Sequence, residues 1–316
     1  MKNHYYGSLL ALTCVFMLSC TPKSAYVANS NSGDVSGYKI HPNTGALTEI
    51  PDDPRTEIRD GSPFPAGGEP QSVAVDPSGT FAYVTNLSSG NVSGYRIDPT
   101  GALIPIGGSP FPAGSLPNCV EVDPSGRFAY VTNSGALIKD SNVSGYRIDP
   151  TTGALTPIAG SPFPTGRQPS SVVVAPVSGK FAYVTNFRDN SVSGYRIDPT
   201  GALTPIAGPP FDTGTGPDSV AVDRSGKFAY VANSERPNEG VSGYKINPTT
   251  GALTPIGSFA AGGRPNSVAV TPSPRFTISP WFSRFSHWFL FKLRLLTTRV
   301  AARRPQPPPP PIKEPR

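Results

Sequence analysis

Ser72-Val73-Ala74-Val75-Asp76-Pro77-Ser78-Gly79-Thr80-Phe81-Ala82-Tyr83-Val84-Thr85-Asn86 is followed by Val92-Ser93-Gly94-Tyr95-Arg96-Ile97-Asp98 and then by Ala102-Leu103-Ile104-Pro105-Ile106. The stretch holds four apolar phrases, here A, B, C and D in chain order. They are short and rich in Val, Ile, Tyr and Phe, which predicts strands rather than helices. Asp76-Pro77-Ser78-Gly79 joins A to B, and Asp98-Pro99-Thr100-Gly101 joins C to D. Proline presets φ at the second turn position, Asp bonds back to the backbone, and glycine suits the turn exit. The stretch therefore predicts one antiparallel sheet of four strands.

The same phrases recur along the chain. Ala-Tyr-Val-(Thr/Ala)-Asn starts at Ala25, Ala82, Ala129, Ala182 and Ala229, at intervals of 57, 47, 53 and 47 residues. Four-stranded units with a period in this range predict a β-propeller, and no repeat carries the 3.6-residue apolar period of a helical solenoid. Phrase A centres on Val73, Val120, Val172, Val220 and Val268. The first B–C–D set has no A before it, and the last A, Pro265 to Thr271, precedes no B–C–D set. Pairing that last A with the first B–C–D set predicts a closed ring of five blades, which would remove exposed sheet edges.

Tyr83-Val84-Thr85-Asn86, Tyr130-Val131-Thr132-Asn133 and Tyr183-Val184-Thr185-Asn186, with the Asp-Pro-Ser-Gly turns before them, give the chain a resemblance to the YVTN-type, lactonase-like β-propeller family. The resemblance covers roughly residues 25–276. It implies a propeller fold and, through the members that resemble 6-phosphogluconolactonase, opening of a sugar lactone. Those members usually have seven blades, so five units here are either a smaller ring or a truncated seven-bladed one.

Outside the repeats, the N-terminus has Lys2, an uncharged run from Tyr5 to Ser19, and then Cys20. Met17-Leu18-Ser19-Cys20 reads as a bacterial lipobox, with residues 1–19 a signal peptide, Cys20 lipidated and residues 20–24 a linker. A plain secretory signal with an incidental cysteine is the alternative. The lipobox reading places the protein at the cell envelope, with Thr21 directing it to the outer membrane or surface where the organism has two membranes; a monomer is expected. Cys119 is then the remaining cysteine, where other repeats have Ser72, Ser171, Ser219 and Ser267, and it reads as a small buried thiol.

The formal net charge of +6 is unevenly spread. Residues 1–276 hold 19 basic and 20 acidic residues, whereas residues 277–316 hold 8 basic and one acidic. The basic character belongs to the tail, and the propeller offers no case for nucleic-acid binding. At Thr277-Ile278-Ser279-Pro280-Trp281 the repeat loses register where another Ala-Tyr-Val is due. Residues 277–316 read either as a disordered tail left by a shifted reading frame or truncation, or as an interfacial helix that mixes Trp281, Phe285 and Trp288 with Arg284 and Lys292.

Alternating strands place the A–B and C–D turns at one end of each blade and the B–C and D–A connections at the other. Length varies at the second end, at Asn133–Asn142, Asn233–Gly240 and Pro51–Asp60, and such loops usually carry recognition. The D–A connections bring Glu69, Gln71, Asn118, Arg167, Gln168, Asp218, Arg264 and Asn266 towards the channel mouth, a polar ring suited to a sugar-like or acidic small molecule. Glu121 breaks the repeat where the others have Ala74, Val173, Ala221 and Ala269. A carboxylate on an innermost strand must be paired, wet or protonated. It is the candidate acid/base or ligand contact.

Catalysis otherwise looks under-equipped. His41 replaces a C–D turn Asp, away from that mouth, and His4 and His287 lie outside the repeats. No metal-ligand spacing or cofactor motif is present, so no metal or cofactor is expected. These readings favour an envelope lipoprotein whose propeller binds a small molecule or an envelope protein. Hydrolysis of a sugar lactone is the alternative.

Overall fold

The computed structural model describes residues 23–52, 61–135, 140–208, 210–236 and 240–271, and these form an all-β array of five antiparallel sheets. The first sheet contains β1 (Lys23–Asn29), β2 (Asp34–Ile40), β3 (Leu47–Glu49) and β4 (Phe64–Pro65). The second contains β5 (Pro70–Val75), β6 (Phe81–Asn86), β7 (Asn91–Ile97), β8 (Leu103–Pro105) and β9 (Phe111–Pro112). The third contains β10 (Pro117–Val122), β11 (Phe128–Asn133), β12 (Asn142–Ile148), β13 (Leu155–Pro157) and β14 (Phe163–Pro164). The fourth contains β15 (Pro169–Val174), β16 (Phe181–Asn186), β17 (Ser191–Ile197), β18 (Leu203–Pro205) and β19 (Phe211–Asp212). The fifth contains β20 (Pro217–Val222), β21 (Phe228–Asn233), β22 (Gly240–Ile246) and β23 (Leu253–Phe259). Phrases A, B, C and D thus become the successive strands of a blade, and β5, β10, β15 and β20 lie side by side as inner strands.

Phrase D is longer than its sequence suggests. In the second blade β8 pairs with Tyr95–Ile97, the chain bulges out through a cis Ser109–Pro110 bond, and β9 returns to pair with Asn91 and Val92. The bulge lets Phe111 lie over the sheet. A Cβ on Gly94 would stand 2.8 Å from the Phe111 ring and 2.8 Å from Ile106. Gly37, Gly145, Gly194 and Gly243 meet Phe64, Phe163, Phe211 and Phe259 in the same way. The glycine before each phrase-C tyrosine therefore makes room for an aromatic ring of its own blade. The outer edge is rich in exposed prolines, including Pro105, Pro112, Pro157 and Pro164, which offer no N–H to a foreign strand.

Blades are joined through their aromatics. The hydroxyls of Tyr83, Tyr130 and Tyr183 donate at 2.7, 2.8 and 2.7 Å to the carbonyls of Gly153, Gly201 and Gly251, each in the C–D turn of the next blade. Tyr95, Tyr146 and Tyr195 donate backwards to the carbonyls of Pro65, Pro112 and Pro164. These rings are fully or nearly fully buried in the cores between sheets, so each tyrosine buries a large apolar surface and still satisfies its hydroxyl.

One expectation fails. Residues 265–271 form no strand with β1, which among the described residues pairs with β2 alone. The Val268 N–H instead lies 3.4 Å from Ser219 Oγ, and Val270 lines the same channel as β20. Val120 and Val220 meet Ser72 and Ser171 alike, at 3.3 and 3.5 Å. The segment therefore follows β20 as the next inner strand would, and the array is a partial propeller. The wedge between blades is set by how their aromatics pack, and here it carries the last segment onward around the arc instead of back to β1.

Candidate functional site

The two ends of a blade are built differently. At the A–B turn, Asp123 is buried; its Oδ1 accepts the N–H groups of Arg127 and Phe128 at 2.8 Å each, and its Oδ2 that of Ser125 at 3.1 Å. Asp76 and Asp223 repeat the pattern. At the C–D turns the backbone N–H of Thr152 leads in holding the Asp149 carboxyl below its usual range, and the Thr200 hydroxyl does so for Asp198. His41 sits at this end, its Nδ1 3.2 Å from the Thr44 N–H.

At the other end, the asparagine that closes each Tyr-Val-Thr-Asn phrase is the organising residue. Asn133 is fully buried. Its Oδ1 accepts the Gly114 N–H at 3.1 Å, and its Nδ2 donates to Asn142 Oδ1 at 2.7 Å and Ser144 Oγ at 2.9 Å. It ties the D–A connection to the B–C hairpin, as Asn86 and Asn186 do in their blades. The repeat displays this asparagine but not its partners, which lie 19 residues before it and 9 or 11 after it.

Between the ends runs the channel, a cavity of about 550 Å³ lined by β5, β10, β15, β20 and Val270. Ladder alternation turns every second N–H of an inner strand to its free edge. The Val120 N–H meets Ser72 Oγ, the Val172 N–H meets the Cys119 thiol, and the Val220 N–H meets Ser171 Oγ. This explains the recurrent serine and the cysteine that replaces it. Burial pushes the Cys119 thiol pKa up, which makes it a poor nucleophile.

Two residues further along β10, Glu121 accepts a hydrogen bond from the next edge N–H, that of Val174. It is the one ionisable side chain apart from the Cys119 thiol among the residues lining the cavity. Burial is the main cause that raises its pKa, to about 7, with repulsion from Asp123 adding to it and the Val174 bond opposing it. A carboxyl in this state changes charge near neutrality and can give or take a proton there.

The other candidates do not line this cavity. Arg167 pairs with Asp189 across the B–C loop, and Arg188 donates to Gln168 at 2.8 Å. The Glu69 carbonyl accepts the Leu87 N–H, and Gln71 stands exposed beside it. The Asn118 carbonyl accepts from Thr85 Oγ1 at 3.1 Å. Asp218 is half-buried at the start of β20, while Arg264 and Asn266 are exposed. Glu69, Gln168 and Arg264 have φ of 52°, 50° and 57°, in the left-handed region that residues before proline rarely enter. That backbone turns the connection into the inner strand and spreads these side chains around the loop end. Cys20, His4, Phe276, His287 and the 277–316 tail lie outside the described residues, as do residues 53–60, 136–139 and 237–239 of the variable loops. Among the described residues no group of three or more His, Cys, Asp or Glu could hold a metal.

Residues 66–270 match the family model described as lactonase, 7-bladed β-propeller. A putative 6-phosphogluconolactonase from Bacteroides uniformis superposes with a TM-score of 0.61 at 20% identity, covering 77% of this chain and 69% of that one. A second, from Bacteroides fragilis, gives 0.61 at 21% identity, covering 78% and 69%. The periplasmic gluconolactonase PpgL of Pseudomonas aeruginosa gives 0.56 at 23%, covering 76% and 68%. At these identities the structural likeness speaks for the fold alone. No curated protein matches the sequence.

Proposed function

The chain belongs to the seven-bladed lactonase β-propeller family, and from that premise we propose that it binds a small polyhydroxylated ligand in its channel. The observation that carries this reading is the juxtaposition in one cavity of the Glu121 carboxyl with Ser72, Cys119 and Ser171. A carboxyl among small polar groups on a rigid edge suits the hydroxyls of a sugar acid or its lactone. In this reading the protein is exported, held at the envelope by a lipid on Cys20, and the length-variable loops admit the ligand. An envelope protein docked on those loops is the other partner the reading allows.

A second reading, opening of a sugar lactone, is favoured by the Glu121 pKa of about 7. A base near neutrality can take a proton from water as it attacks the lactone carbonyl. The ring-oxygen bond breaks, that oxygen takes a proton, and the hydroxy acid leaves.

Calorimetric titration of the full chain with glucono-1,5-lactone and with gluconate, alongside base titration of lactone opening, separates the two. Binding that Glu121→Gln weakens, without opening faster than the spontaneous rate, is the expected result. Acceleration lost in Glu121→Gln replaces it with the hydrolase reading. Neither binding nor acceleration across sugar lactones and acids defeats both.

A further inference from the structure

The two ends of the blades carry opposite charge. Among the described residues the turn end presents ten basic side chains against seven acidic ones, six aspartates and Glu49, and the loop end four basic against eight acidic, with Glu121 in the channel between them. The six aspartates accept turn N–H groups; Asp76 and Asp123 are buried, Asp98, Asp198 and Asp223 half-buried, and Asp149 exposed. The bases point out. Lys39, Arg96, Arg147, Arg196 and Lys245 hold the same strand position in five successive blades, and all but the half-buried Lys39 are exposed. Arg127, Lys180 and Lys227 form a second row just before phrase B, also exposed. The Arg127 and Arg196 guanidiniums lie across the next blade's turn, at 3.0 Å from the Pro199 carbonyl and 2.8 Å from the Thr249 carbonyl. Their positive charge is thus spread over the face and stays in contact with solvent.

We propose that this turn end is a docking surface for an anionic lipid bilayer, and that it sets the orientation of the propeller. A row of exposed cations along the blade ends is attracted to anionic headgroups within a Debye length of the surface. The path of the chain selects a lipid surface over other polyanions. β1 begins at Lys23, which pairs with Ile40 at this same end, and Cys20 lies three residues before it. Three residues span at most roughly 11 Å. A lipid on Cys20 would hold the basic end against the headgroups and leave the acidic loop end, with its variable connections, facing away. The charge asymmetry stands without that lipid or the ligand-binding reading, and the choice of a bilayer over other polyanions rests on lipidation of Cys20.

Co-sedimentation of the full chain carrying Cys20→Ser, so that no acyl chain contributes, tests the proposal. The vesicles are phosphatidylcholine alone or phosphatidylcholine with about one quarter phosphatidylglycerol. Retention on the anionic vesicles only is expected, with release as salt is raised to about 0.5 M. The triple variant Arg96→Gln/Arg147→Gln/Arg196→Gln should lose more than about tenfold in affinity, and Arg303→Gln/Arg304→Gln in the tail should bind as before. Thermal unfolding by circular dichroism establishes that the triple variant is folded, and salt release of the chain with this face intact does not depend on it. Equal retention on neutral vesicles, salt-insensitive binding, unchanged binding by the folded triple variant, or loss in the tail variant instead would overturn it.

Discussion

β5 and β10 occupy equivalent places in adjacent blades and differ where it matters. β5 has Ser72 and Ala74; β10 has Cys119 and Glu121. Ser72 and Cys119 do the same job, each meeting an N–H of the next inner strand. Ala74 and Glu121 do not. The methyl of Ala74 accepts nothing, whereas Glu121 bonds the Val174 N–H and carries into the channel a group that ionises near pH 7. A substitution that keeps the repeat's hydrogen bond is structural, and one that adds a titrating group where the repeat needs none marks a candidate site. The glutamate has a cost, because a half-buried carboxyl resists ionisation.

The scaffold common to both blades should give the largest effect. Asn86→Ala and Asn133→Ala each remove a buried side chain with three hydrogen bonds and leave the partners to find others. Each should cost on the order of 3–4 kcal/mol in chemical denaturation, and by similar amounts. A large difference between the two would mean that the blades differ beyond β5 and β10.

Glu121→Gln comes next and has a pH signature. Below pH 4.5, the ordinary carboxyl value, both folded and unfolded chains hold the proton and the variant should match the parent. Between that value and about 7 the unfolded chain ionises while the folded one keeps its proton, so the parent loses stability as pH rises. Above 7 the loss is complete. Glutamine avoids it, and the variant should gain on the order of 3 kcal/mol at pH 8 and almost nothing at pH 4. Melting temperatures at the two pH values measure this. A gain that is the same at both would show that the carboxyl is not held protonated by burial.

Cys119→Ser should have the smallest effect, within about 1 kcal/mol, because it restores the oxygen that the repeat uses in β5, β15 and β20. The same change should leave glucono-1,5-lactone binding within about twofold. A strong loss of binding would move the site's centre from the carboxyl to the thiol.

Much of this was legible in the sequence because turns and strands announce themselves locally. Asp76-Pro77-Ser78-Gly79, the alternating valines and His41 at a turn all stand where their spacing places them. The strand character of Phe111 is not legible, because Ser109-Pro110-Phe111-Pro112 has the composition of a loop and pairs with Val92 only across a bulge. Closure is not legible there, because it depends on the wedge between blades, which packing sets and the repeat period does not reveal. The repeat places the polar ring at the channel mouth but does not reveal its pairings: Arg167 turns to Asp189, 22 residues later, once the loop folds back. Glu121 could be singled out only because four other copies show what the position otherwise holds.

The most direct test follows the Glu121 carboxyl itself, by carbon-detected NMR of glutamate-labelled protein, with Glu121→Gln assigning the signal. The account predicts a titration midpoint of about 7 that shifts when glucono-1,5-lactone or gluconate saturates the channel. A midpoint in the ordinary carboxylate range, unmoved by either compound, would contradict it.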